Sequence, residues 1–225
     1  MKIEEIFEYI DKIGCLTFST IGDDGFVHSR IAHFYAFDDG GFYFRTMRVK
    51  PFYRELKATG RITVSGIFPG SKINGKNDSG VPDFSPGYTF RLMGEVRELT
   101  EDEVKDKGAE KPDFKIALHD MKKYPATRCF VLFKGKGEVY DYDYETVNRE
   151  HKLLRKRFSF GGVHYNNAGL KIMSNCIECG RCYDICTFDA VKIGSPFSII
   201  SERCDECGSC HETCPANAIE FPEDM

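Results

Sequence analysis

The sequence predicts a mainly β, α+β protein: an antiparallel β-barrel with peripheral helices, followed by a small C-terminal cysteine-rich domain. Three observations carry this. Six segments within residues 1–143 read as strands, and the helical segments among them never set up a regular β-α-β alternation. Eight of the ten cysteines fall between residues 176 and 214. The charge also changes sign along the chain: from Ile172 onward there are ten acidic and three basic side chains, against a net charge of +3 before that point.

The elements follow in order. Ile3, Ile6, Phe7, Ile10 and Ile13 recur at helical spacing and Gly14 follows, so residues 2–13 form an amphipathic helix with a glycine cap. GCLTFSTI, FVHSRIAHFYAF and FYFRT are three strands joined at GDDG and DDGG turns. KPFYRELKA is a helix with Pro51 in its first turn, and RITVSGIF and YTFRLMGEVREL are two further strands. The stretch between them is rich in Gly, Pro, Asn, Asp and Ser, and such long loops tend to be functional; residues 69–87 are expected to shape a substrate side, near Arg91. Thr100 and Glu103 form a capping box for the next helix, and FKIALHDMKKY is another, ending at Pro125. RCFVLFKGKGEVYDYD is the last strand, bent at its glycines. The expected division is residues 1–143, a bridge over 144–171 containing a basic helix, and 172–225. The two oppositely charged parts attract each other on this reading, although small acidic domains are common in any case.

Composition excludes several classes. The chain has 225 residues, 41% hydrophobic and 29% charged, enough for a real core. A net charge of −4 gives no basic footprint for nucleic acid. No apolar run is long enough to cross a bilayer, and MKIEEIFEYIDKIG is unlike a signal peptide, so no membrane insertion and a cytoplasmic location are expected.

Cys176, Cys179, Cys182 and Cys186 have the spacing C-x2-C-x2-C-x3-C, and Cys204, Cys207, Cys210 and Cys214 repeat it 28 residues later. A cubane cluster needs four thiolates around it, and three on a tight loop wrap only one side. In the duplicated pattern the fourth cysteine of each run serves the other cluster. The assignment is therefore Cys176, Cys179, Cys182 and Cys214 for one [4Fe-4S] cluster and Cys204, Cys207, Cys210 and Cys186 for the second. Zinc suits paired CxxC motifs but fits two such runs less naturally, and disulfides fit a cytoplasmic protein poorly. This stretch resembles the bacterial-type ferredoxin with two [4Fe-4S] clusters, departing from it at Thr187, where the family usually has proline.

Residues 1–143 resemble the pyridoxamine 5'-phosphate oxidase-like, FMN-binding split-barrel family. The matching features are the D-G turn after the first strand, H-S-R in the second, an aromatic third strand ending at Thr46, then a lysine-containing loop, a helix, R-I-T-V and R-L-M-G-E-V. The resemblance implies an antiparallel split β-barrel and a homodimer with FMN at its interface. It puts Arg30, Ile31, Ala32 and His33 along the ring and Thr46, Arg48 and Lys50 at the phosphate, where a hydroxyl, cations and a helix start suit the chemistry. Each residue also has a plainer reading: Arg30 and Arg48 as solvated strand-end charges, His33 as a packed core residue, and Lys50 as a helix start. Cys15 and Cys129 read as small buried hydrophobes. RKRF at 155–158 reads as a solvated helix face, or as a site for phosphate or an acidic partner.

No nucleophile, base and orienting group occur together, so no catalytic residue is assigned. The expected function is a flavin- and iron-sulfur-dependent oxidoreductase passing electrons between two [4Fe-4S] clusters and FMN, with a small-molecule substrate or a redox protein at the flavin. An electron-transfer adaptor, a redox sensor, or a barrel binding deazaflavin or haem are the alternatives.

Overall fold

The computed structural model describes residues 1–68, 87–141 and 154–221. They divide into two compact units, one drawn from Met1–Ile67, Phe90–Gly137 and Phe158–His164, the other from Phe68–Thr89, Glu138–Arg157 and Tyr165–Met225.

In the first unit, helix α1 (Ile3–Ile13) buries Ile6 and Ile10 and ends at Gly14. Strands β1 (Leu16–Ile21), β2 (Val27–Ala32), β3 (Ala36–Asp38) and β4 (Gly41–Met47) follow, then α2 (Pro51–Thr59). Strand β5 (Arg61–Phe68), β6 (Tyr88–Glu98), α3 (Glu101–Glu110), α4 (Lys115–Lys123), β7 (Thr127–Asp141) and β8 (Leu154–Phe160) complete the sheet and its helices. The order is β2-β1-β5-β6-β7-β4-β3, with β8 on β7. Strands β2 and β3 stand at opposite ends of that order, yet only residues 33–35 separate them in the chain. A flat sheet of seven strands would put its ends about 28 Å apart at ordinary strand spacing, far beyond what three residues span. The sheet therefore curls upon itself, and this closure makes a barrel out of an antiparallel ladder.

The core is aromatic. Phe18, Phe42, Phe44 and Phe130 are fully buried; Phe44 stacks on Phe130 at 5.6 Å and meets Phe18 edge-on at 5.4 Å. A second cluster, with Tyr43, Val104, Phe114, Ala117 and Val131, lies under α3 and α4. Thr100 accepts from the Glu103 amide and Glu103 reaches back to the Thr100 amide, the expected capping box. Gly41 is required by backbone approach: its φ is +129°, and a Cβ there would lie 2.0 Å from the Leu132 carbonyl.

Three expectations need correcting. FVHSRIAHFYAF is two strands, β2 and β3, and β8 from the bridge adds to β7, so the sheet has eight strands rather than six. The bridge is strand rather than helix where it is described: β8 covers Leu154–Phe160 and pairs with β7, and that pairing, not its basic composition, decides the outcome. Cys15 is exposed just before β1, whereas Cys129 is buried as expected. Most of the loop 69–87 and residues 144–153 of the bridge lie outside the described residues.

The second unit carries the duplication in its backbone. Strands β9 (Lys171–Ile172) and β12 (Ile219–Glu220) pair, as do β10 (Val191–Lys192) and β11 (Ser198–Ile199), and α5 (Arg181–Ile185) and α6 (Ser209–Glu212) follow equivalent glycines. Leu170, Ala190, Val191, Phe197 and Ile219 form its core with the inner cysteines. Among the described residues, no helix is long and apolar enough to cross a membrane.

Replacing Phe44 by Ala is expected to lower the unfolding free energy of the barrel by about 3–5 kcal/mol, measured by denaturant titration, because four aromatic rings cannot collapse into the space left.

Candidate metal and cofactor sites

Two cavities in the second unit gather the eight clustered cysteines. Cys176, Cys179, Cys182 and Cys214 line one, under Ile172 and Phe197. Cys186, Cys204, Cys207 and Cys210 line the other, beside Leu170 and Val191. Each cavity thus takes three thiols from one repeat and the fourth from the other. Among the described residues no group of three His, Cys, Asp or Glu side chains is disposed to hold a single metal ion. The wider grouping of four thiols around a cavity suits a cluster.

The local backbone explains how each loop aims its sulfurs. Glu178 and Glu206 have φ of 58° and 60°, and their amides donate to Cys176 Sγ and Cys204 Sγ, both at 3.4 Å. The Ala190 and Ala218 amides donate to Cys186 Sγ and Cys214 Sγ, both at 3.3 Å. Gly180 and Gly208, at φ of 81° and 80°, turn the chain into α5 and α6. No atom lies within 4 Å of a Cβ built on Gly180, so the sign of φ rather than crowding by protein atoms selects glycine there. Burial, together with the neighbouring Cys204, Cys186 and Cys207, pushes the Cys210 thiol up to about 11. Such a group is a poor thiolate alone, and bound iron would favour its deprotonated form.

Beside the second cavity lies a buried charge cluster that the sequence did not reveal. Glu206 binds Arg155 and, at 2.8 Å, Arg157, and accepts from the Gly169 amide at 2.9 Å. Arg157 also reaches Glu138 at 3.3 Å, and Arg155 donates to the Asp205 carbonyl at 3.2 Å and stacks over Tyr140. The side chains of both arginines are only 5% exposed. RKRF therefore is not a solvated helix face; Arg155 and Arg157 occupy alternate positions of β8, which sets them on one side of the strand. That R-x-R spacing was the available signal, masked by the helical reading.

In the first unit the residues expected at a flavin separate into two groups. Arg30 is tied down: its guanidinium donates to Thr20 and, at 2.7 Å, to Glu55, and stacks 4.2 Å above Phe52. His28 joins the same buried carboxylate at 2.7 Å and Asp24 at 3.1 Å. Burial pushes the Glu55 carboxyl up, but hydrogen bonds from Thr20, His28 and Arg30 outweigh it and hold it below its ordinary value. Ile31 and Val27 point outward from the edge strand, each 68% exposed, and Ala32 is half-buried. His33 lies beyond the end of β2 and is exposed, so it is not a core residue.

The second group surrounds the start of α2. Thr46 is buried at the end of β4, and Arg48 and Lys50 are exposed. Lys50 is the residue before Pro51, no side chain caps the helix, and its first turn has no acidic residue. No ion pair engages Arg48 or Lys50 among the described residues. Separately, an open cleft of about 940 Å³ is lined by Ser19, Arg61, Thr63, Met93, Lys134 and Lys136, with Lys134 paired to Glu95 at 2.9 Å.

Two outcomes are expected. Arg157→Ala leaves the buried Glu138 and Glu206 short of a cation and is expected to cost about 3–5 kcal/mol in denaturant unfolding of the holoprotein. Hydrogen bonds to Glu55 and Asp24 raise the His28 pKa above its ordinary value. Its contribution to stability is full below the unfolded value of about 6.5 and lost as pH rises through the folded value. A pH series of unfolding midpoints should show that decline in the native protein and a flatter profile in His28→Gln.

Residues 3–139 match the family model described as Pyridoxamine 5'-phosphate oxidase. Residues 173–189 and 197–220 each match a model described as 4Fe-4S binding domain. Among solved structures, a nimC/nimA family protein from Clostridium acetobutylicum is similar, at 16% identity over 70% of this chain and 92% of that one, with a TM-score of 0.46. PhzG from Burkholderia lata in complex with tetrahydrophenazine-1-carboxylic acid matches at 17% identity over 68% and 85%, with a TM-score of 0.46. The heme storage protein HutZ from Vibrio cholerae matches at 14% identity over 59% and 90%, with a TM-score of 0.40. Comparison with curated proteins found no match.

Proposed function

Since the chain belongs to the pyridoxamine 5'-phosphate oxidase family and carries 4Fe-4S binding domains after that region, we propose that it is an FMN-dependent oxidoreductase that exchanges single electrons through two [4Fe-4S] clusters. The redox role follows from the two domain types.

The observation that carries the flavin assignment is the uncapped start of α2. A phosphate dianion seeks cations, a hydroxyl and the positive end of a helix, and the start of nine-residue α2 lies there with Thr46, Arg48 and Lys50. In this reading Arg48 and Lys50 bind the phosphate. Arg30, already neutralised by Glu55, serves as a fixed wall braced on Phe52 rather than as a counter-ion. Ile31 and Val27 on the exposed edge strand offer apolar surface that a second copy would cover, which supports a homodimer. The cleft bounded by Arg61 and Lys136 is a suitable place for a small, electron-poor, anionic substrate.

When bound, FMN supplies the exchange between two-electron substrate chemistry and one-electron carriers. The protein's part is to hold eight thiolates around the clusters and to donate amides to four of the sulfurs, which tunes their potentials.

The test is cofactor analysis of anaerobically purified protein. About eight irons and eight sulfides per chain are expected from two cubane clusters, with FMN identified by chromatography. Charge reversal at Lys50→Glu is expected to weaken FMN binding at least about tenfold, read by quenching of flavin fluorescence, since it removes one charge-assisted phosphate contact and adds a repulsion. Loaded clusters without flavin, even after incubation with FMN, would overturn the flavin reading and leave the barrel for haem or deazaflavin.

A further inference from the structure

The duplicated half supplies its own control. Positions 28 residues apart share backbone conformation, amide-to-sulfur bonds and cysteine placement, so a difference in surface between them is not dictated by the fold. Some exposures match: Cys207 is exposed like Cys179, and Phe221, the counterpart of Ile193, is 42% exposed but packs its ring against His211 at 4.9 Å. The ligand loops themselves differ. Ile177 in the first ligand loop is 64% exposed, and the second loop has Asp205, half-buried, in its place. Tyr183 is 49% exposed; its counterpart His211 is half-buried and bonded through Nδ1 to the Ile219 carbonyl at 2.6 Å. Glu178 lies at the surface against the Ser195 hydroxyl, whereas Glu206 is locked between Arg155 and Arg157. The Glu178–Ser195 contact also brings the β10–β11 turn, with Ile193 at 61% exposure, beside the first loop.

The second loop is thus clasped by its own chain, and the first presents apolar side chains next to the exposed Cys179. Apolar groups left about half or more exposed at a loop that would hold a redox centre contribute little stability there, and they gain burial when a partner covers them. The surroundings are acidic, with net charge −7 from Ile172 onward. An anionic lipid surface is repelled by that field, and a basic protein is drawn to it.

We propose that the first ligand loop is the external electron port of this chain: a redox protein with a basic-rimmed apolar face docks over Ile177, Tyr183 and Ile193 and exchanges one electron with the cluster held by Cys176, Cys179, Cys182 and Cys214. One electron passes between the partner's centre and the cluster, with no bond made or broken and no proton moved. The proposal rests on the cluster part of the function proposed above, and is independent of the flavin.

The test uses full-length holoprotein, reduced with dithionite and desalted, with ferric cytochrome c as a basic protein acceptor and dichlorophenol-indophenol as a small one. The variant Ile177→Ser removes the apolar side chain without adding charge to the acidic surface; Ile193→Ser, outside the ligand loops, serves if the first fails to load iron. Iron content and the electron paramagnetic resonance of the reduced protein establish that the clusters are present, and a wild-type chain without them overturns the underlying reading before any rate is compared. The expected result is a loss of about tenfold in the cytochrome rate constant, the scale of one well-packed interface residue. The dye rate stays unchanged, and the wild-type cytochrome rate falls as salt is raised. An unchanged cytochrome rate in loaded variants would overturn the port, and so would an equal loss with both acceptors, which would place the effect on the cluster itself.

Discussion

The exchange of one cysteine between two repeats is the constraint on which the second unit depends. Neither four-cysteine run closes a cavity by itself: Cys214 completes the set of Cys176, Cys179 and Cys182, and Cys186 completes that of Cys204, Cys207 and Cys210. Each half must be in place before the other has its fourth thiol, so folding and metal loading of the two halves become one event. The mirrored strand pairs, β9 with β12 and β10 with β11, are the backbone expression of that requirement, since each pair joins the beginning or end of one repeat to the other. The hydrophobic core there is thin, and thiols are part of it.

Charge is handled in opposite ways by the two units. In the barrel, Glu55 is a hub that satisfies Arg30, His28 and Thr20 together, fixing the edge strand β2 to helix α2 through hydrogen bonds to one buried carboxylate. In the second unit, Glu206 and Glu138 share two nearly buried arginines. Both arrangements are costly to desolvate and costlier to break, because removal of one partner strands the others. Each also touches a residue with a proposed redox duty, Arg30 in one case and the Cys204 loop in the other. Placement, more than net stabilisation, is what such networks contribute.

Most of the architecture was legible in the sequence because its signals are local. Helical spacing in α1, the Thr100–Glu103 box and the C-x2-C-x2-C-x3-C runs each depend on residues within a few positions of one another. The misreadings arose where a distant partner decides the outcome. Strand β8 has helix-like basic composition and becomes a strand because β7 offers it a ladder. Arg30 looked like a free cation because Glu55, which neutralises it, stands 25 residues away. His33 and Cys15 looked like core residues by composition but fall just outside β2 and β1, where the alternation ends. The R-x-R spacing sets Arg155 and Arg157 on one side of β8, but their pairing with Glu206 spans about 50 positions and no local window shows it.

That long-range clasp bears on how such chains can be assembled. The cysteine-bearing unit takes Arg155 and Arg157 from strand β8 and Glu138 and Tyr140 from strand β7, ahead of every ligand cysteine. A gene segment cut just before the first cysteine would encode the thiols and omit the cations that neutralise Glu206. The iron-sulfur module of this chain is therefore not a cassette that can be moved intact by its sequence boundaries. Transfer to another host would require the host's own strands to supply two buried guanidinium groups, or the carboxylate at position 206 to be given up.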